Sequence, residues 1–287
     1  MTFRQTLLIP ILAIALGACS GSSASPGGAT ATAAPTTAPS AAALTAPSAA
    51  AGGEIQVFAA ASLKKALEKA KTAYETANPG TTLTVSTDSS AALETKIEQG
   101  APADVFLSAD TKNPQKLVDG GFAAGDVTRF AGNLLTVIVP TANPAAIKTP
   151  ADLASAGVKI IAAADGVPIQ QYTATLLDNL AKVSGYPADF AAKYTANVVS
   201  KEDNVGAIVT KVGLGEGDAG VVYVTDAKTS DKVTTVEIPV DANVPATYGG
   251  VVVKASRSQD AAAAFLTWLA GPDGQAILSS FGFLPAS

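Results

Sequence analysis

The chain has no histidine among its 287 residues and only one cysteine, Cys19. The first absence removes Ser-His-Asp and Cys-His nucleophile systems, histidine-ligated zinc and histidine acid–base chemistry together. The second rules out an intrachain disulfide and a thiolate metal cluster. Charge is also scarce, at 15% of residues, and aromatics make up 6%. Lys and Arg number 19 against 24 Asp and Glu, a formal charge of −5, and no basic tract occurs. A nucleic-acid surface is therefore not expected. The longest apolar run, Leu7–Leu16, is interrupted by Pro10 and is too short to span a bilayer.

What is present begins with that run. Arg4 precedes it and Leu16-Gly17-Ala18-Cys19 follows it. This is the pattern of a signal peptide over residues 1–18, ending in a lipobox that makes Cys19 the lipidated first residue of the mature protein. The alternative is an ordinary signal peptide with a stray cysteine. Residues 20–53 are Ala, Ser, Thr, Pro and Gly apart from Leu44. Such a composition cannot bury enough apolar surface to offset its ordering entropy, so residues 19–53 are expected to form a lipid-anchored, disordered tether. By coil scaling it would reach roughly 30 Å.

From Glu54 onward, short apolar segments alternate with amphipathic ones. Ile55–Ala59, Thr82–Ser86, Val105–Ser108, Leu134–Val139, Lys159–Ala163, Ala219–Val224 and Val233–Ile238 read as strands. Helices are expected over Ser62–Ala77, Ser90–Gln99, Pro114–Asp119, Pro168–Leu180, Asp203–Val212, Asp260–Ala270 and Gly274–Phe281, with a further helix start at Thr149-Pro150-Ala151-Asp152. The alternation argues for α/β layers. In such folds ligands sit beyond the carboxyl ends of strands, where helix N-termini gather. Two places fit. Phe58-Ala59-Ala60-Ala61-Ser62-Leu63 runs from a strand into a helix, and Ser86-Thr87-Asp88-Ser89-Ser90 is a hydroxyl-rich turn before another. Each serine alone is a good helix cap. Two such ends facing one cleft would make an anion site without a cation.

Several segments occur in a telling order: VFAAASL (57–63), the turn ending at Ser90, QGAPADVFLSAD (99–110), GNLLTVIVP (132–140), GVVYVTDA (220–227) and FLTWLAGPDGQAILSSFGF (265–283). Together they resemble the substrate-binding proteins of molybdate ABC importers, over most of residues 54–284. The resemblance implies a two-lobed, type II periplasmic-binding-protein-like α/β fold. Each lobe would hold a mixed, mainly parallel sheet flanked by helices, with lobe 1 at 54–132 and 227–287 and lobe 2 at 133–226. It implies no enzyme and no cofactor. The ligand would be molybdate or tungstate, held through its oxygens, with no metal coordinated directly by the protein. By position, Ser62 and Ser90 match hydroxyl donors, Tyr223 a phenol donor, and Ile169 and Val205 backbone N–H donors. Two positions depart from the family's pattern. Ile169 stands where a small residue is common, and Gly206 where Arg often follows the matched valine, so Asn204 is an alternative to Val205. Asp226 reads as a structural cap or hinge partner, or as the proton acceptor that a phosphate binder would need.

The same resemblance implies delivery to an ABC permease by a monomer anchored through Cys19 to the outer face of the cell membrane. A receptor for sulfate or another tetrahedral oxyanion is the alternative. Two other classes compete. A hydrolase with Ser62 as nucleophile would need Lys64 or Lys65 as its base, and both fall on the solvated face of the helix. A surface adhesin or structural lipoprotein would carry the tether and anchor equally well.

Overall fold

The computed structural model describes residues 53–286. The signal peptide, Cys19 and almost all of the tether lie outside the described residues. Within them, seven residues of alternating burial form β1 (Glu54–Ala60). A single 3-10 turn, Ala61–Leu63, then tightens the entry to α1 (Lys64–Ala77). That helix buries Ala66, Leu67, Ala70 and Tyr74, one stripe at helical spacing. Tyr74 meets Phe265 and Trp268 edge-on, each at 5.0 Å between ring centres. Next come β2 (Thr82–Asp88), α2 (Ser90–Glu98), the fully buried β3 (Val105–Ser108), α3 (Lys112–Asp119) and β4 (Thr128–Asn133). One residue later β5 (Leu135–Pro140) begins in a second sheet.

The second lobe repeats the plan. It holds β6 (Ile160–Ala163), α4 (Pro168–Leu180), α5 (Phe190–Ala196), β7 (Val198–Glu202), α6 (Val205–Gly213), β8 (Ala219–Tyr223), the one-turn α7 (Val224–Ala227) and β9 (Val233–Val236). The helix start at Thr149 is a 3-10 segment, Pro150–Ala154, carrying a reciprocal capping box between Thr149 and Asp152. The chain returns to the first sheet as β10 (Ala246–Val252) and ends in α8 (Gln259–Ala270) and α9 (Pro272–Ser280).

The two sheets have the orders β2-β1-β3-β10-β4 and β7-β6-β8-β5-β9. Each contains two parallel and two antiparallel ladders. The sheets are therefore mixed, and the antiparallel share is larger than the sequence led one to expect. It arises because the strand received from the other lobe, β10 or β5, runs opposite to its neighbours on both sides. The lobe limit expected at residues 226/227 is also displaced. β9 pairs with β5 in the second sheet, so the return lies between Val236 and Ala246.

Close packing sets where α6 can sit. A Cβ at Gly220 on β8 would lie 2.6 Å from Ile208 Cγ2 and 2.9 Å from the Ile161 carbonyl oxygen. The glycine thus lets α6 press onto the sheet, with its first residue at the carboxyl edge. Among the described residues, no helix is long and apolar enough to cross a membrane.

Candidate functional site

Four helices begin directly beyond strand ends and face one cleft. α1, with its 3-10 lead-in, follows β1; α2 follows β2; α4 follows β6; α6 follows β7. The first N–H groups of each helix have no partner within the helix and carry partial positive charge. Local sequence explains each start. Ser89 and Val167 are extended residues at the caps of α2 and α4, and Pro168 occupies the first position of α4, where its missing N–H costs nothing. Asn204 caps α6, its Oδ1 accepting from the Ala207 N–H at 3.1 Å.

The cleft between these helix ends has a volume of about 230 Å³, mouth included. Ser62, Ser90, Ile169, Val205 and Tyr223 all line it, so the structure brings together all five positions singled out in the sequence. The two serines come from the first lobe and the other three residues from the second. Asn204 lines it as well, but its side-chain oxygen is committed to the cap. Val205 is the first residue of α6 and Ile169 the second of α4, positions at which a backbone N–H is left for an outside acceptor.

The hydroxyls are arranged as donors. Ser90 Oγ accepts the Ala109 N–H at 3.0 Å, which leaves its own proton free. Ser62 Oγ lies 2.9 Å from the Tyr248 hydroxyl. Tyr223 is 1% exposed and its hydroxyl has no hydrogen-bond partner in the protein. Burial, reinforced by Tyr248, Tyr172 and Asp226, pushes that phenol well above the ordinary tyrosine value, so it keeps its proton. An orphaned buried donor facing a cleft is the signature of a group that awaits an acceptor.

Charge is nearly absent from the lining. It contains no Lys or Arg, and its one carboxylate, Asp88, is occupied by the Ser89 N–H at 2.8 Å and by Lys96 at 2.9 Å. Asp226 is not part of the lining. It lies buried in α7 with Oδ2 unpartnered, and burial pushes its carboxyl up to about 8. It is therefore not placed to accept a proton from a phosphate in the cleft. Ser62 has a tyrosine rather than a base as its partner. The described residues hold no cluster of His, Cys, Asp and Glu able to bind a metal ion directly.

The lobes touch around the cleft. Lys112 of α3 donates to Gln171 of α4, and Tyr172 pairs with the Thr247 backbone, its hydroxyl pushed up to about 12 chiefly by burial. A ladder of rings continues inward. Tyr172 and Tyr223 are 6.2 Å apart, Tyr223 and Tyr248 5.7 Å, and Tyr248 and Phe283 5.4 Å. Sequence reasoning missed Tyr248, Asn133 and Thr225, the buried polar groups behind Ser62. Asn133 and Thr225 lie within the GNLLTVIVP and GVVYVTDA segments, and the signal for Tyr248 was a lone aromatic residue ahead of Gly249-Gly250.

Comparison with known proteins agrees with this architecture. The family model described as bacterial extracellular solute-binding protein matches residues 55–284. The chain is 34% identical over 230 residues to the molybdate-binding protein ModA of Mycobacterium tuberculosis, covering 80% of this chain and 84% of that one. The periplasmic molybdate-binding protein of Azotobacter vinelandii superposes with a TM-score of 0.68 at 24% identity, over 81% of this chain and 100% of that one. The sulfate-binding protein SubI of M. tuberculosis superposes with a TM-score of 0.73 at 20% identity, over 81% and 86%. At such identities the two structural likenesses speak for the fold alone. With the family model spanning both lobes and a relative this similar over most of its length, the chain belongs to the family of bacterial extracellular solute-binding proteins.

Proposed function

We propose that this protein captures molybdate, and tungstate with it, outside the cytoplasm and hands it to an ABC permease. The observation that carries the reading is the cleft's donor set: the hydroxyls of Ser62, Ser90 and Tyr223 and the backbone N–H groups of Ile169 and Val205, with no cation in the lining. Molybdate and tungstate are fully deprotonated dianions at neutral pH and need donors only. Each charge-assisted bond is worth roughly 1.5–3 kcal/mol, so five suffice for tight binding without an ion pair. A hydrogen phosphate would also need a free acceptor, and Asp88 is already engaged on both oxygens. The molybdate-binding relative supports the choice of ion. Sulfate shares the charge and shape and differs in size, which rigid backbone donors can sense.

Thermal unfolding with each anion tests this. At a hundredfold excess over Kd, molybdate should add about 2.7 kcal/mol to the stability, and sulfate at the same concentration should add far less. No shift with molybdate would refute the proposal. An equal shift with sulfate would reassign the cleft to tetrahedral oxyanions in general.

The lipobox at Cys19 supports attachment to the outer face of the membrane, because a thioether-linked diacylglycerol plus an amide-linked acyl chain holds stably where a single chain does not. Cys19→Ser should move the protein to the soluble fraction with its anion affinity intact, and continued membrane association would rule the anchor out. The cleft is complete within one chain, which supports a monomer. No catalytic role is proposed for Ser62.

A further inference from the structure

Behind the cleft lies a second tier of buried polar groups, drawn from both segments that join the lobes. Asn133 closes β4 at the first crossing and is 1% exposed; Tyr248 lies on β10, just past the second, and is fully buried. We propose that Asn133 and Tyr248 form a relay that aims the Ser62 hydroxyl proton into the cleft, so that Tyr248 is a positioning residue for anion binding.

The direction follows from counting protons. Asn133 Oδ1 accepts the Leu134 N–H at 3.0 Å, which fixes the amide so that Nδ2 faces inward. Nδ2 has two protons and two neighbours, Thr225 Oγ1 at 2.8 Å and the Tyr248 hydroxyl at 3.4 Å. With its oxygen accepting from Asn133, Tyr248 has one proton left to give, and the acceptor within reach is Ser62 Oγ at 2.9 Å. Ser62 then accepts from behind and donates forward. The reverse polarity would turn the serine lone pairs toward an incoming anion and leave two donors contending for the phenol oxygen. Burial holds the phenol well above its ordinary value, so the Tyr248 proton stays in place throughout the working pH range. Ser90 is set by the same logic through a simpler partner, the Ala109 N–H. The two first-lobe hydroxyls thus share one device, an acceptor bond at the back that frees a donor at the front.

The inference rests on the oxyanion reading of the cleft, and calorimetric titration with molybdate separates the two. The chains to compare are wild type, Tyr248→Phe, Ser62→Ala and the double variant, with apo melting curves reporting the fold. Tyr248→Phe keeps the ring that packs against Phe130 and Phe283. It should weaken binding about tenfold, the loss of one charge-assisted bond's alignment. In the Ser62→Ala background the same substitution should change Kd less than about twofold, because no hydroxyl remains to be aimed. An unchanged Kd in Tyr248→Phe, or an equal loss in both backgrounds, would overturn the relay while leaving the oxyanion reading standing. A wild-type chain that binds no molybdate would overturn both. If Tyr248→Phe fails to fold, Asn133→Ala in the same two backgrounds carries the comparison with the same outcomes.

Discussion

A carboxyl group sealed away from water with one oxygen left unpartnered is costly, and Asp226 is such a group. Its environment raises the pKa from an ordinary value near 3.8 to about 8, with burial as the cause. Between those two pH values the folded state holds a proton that the unfolded chain has released. Stability contributed at this position is therefore greatest in acid, declines as pH rises from about 4, and levels off only above about 8. Asp226→Asn removes the ionisation while keeping the shape. The variant should gain stability over wild type, and the gain should grow by at least about 1 kcal/mol between pH 5 and pH 8. Paired melting curves at the two pH values measure it; a difference that does not change with pH would show that Asp226 titrates normally. Tyr223 contrasts with it. Its buried hydroxyl is also orphaned, but it lines the cleft, where a bound oxyanion would satisfy it.

At the scale of elements, most helix starts were legible, though α5 and the one-turn α7 were not read, and strand partners were not legible. Ser89-Ser90, Val167-Pro168 and the Thr149/Asp152 pair carry their signals within three or four residues, and the structure places a helical segment after each. Ser62 was expected in the first turn of an α-helix and lies in the 3-10 turn before it. β10 escaped notice because two glycines interrupt its apolar pattern, and glycine is poor in strands. Its place is set instead from far away, by pairing with β3 and with β4, the latter ladder shifting register at Tyr248/Gly249. β7 escaped because it is an edge strand with half-exposed residues. β9 was read as a strand, yet its membership of the second sheet depends on a partner nearly a hundred residues earlier.

For the whole molecule, the net charge of −5 and the cation-free cleft make a joint prediction. A site built on buried lysine or arginine loses affinity for an anion as salt rises. Here the long-range field repels the dianion, and screening weakens that repulsion. Raising salt from about 0.05 to 0.5 M shortens the Debye length from about 14 to 4 Å, and it should leave the molybdate Kd within about threefold or tighten it slightly. A tenfold weakening would reveal a cation acting on the ion. The amino-acid sequence by itself determined which chemistries were closed to the chain, the alternation that makes it α/β, and which hydroxyls and N–H groups stand at helix starts. These properties are carried by residue type and by neighbours within a turn or two. Only the tertiary structure decided that four of those starts converge, that Tyr248 backs Ser62 across 186 positions, and that Asp226 is sealed from water. Sheet order and the two crossings bring these residues together, and local spacing carries no information about such long-range contacts.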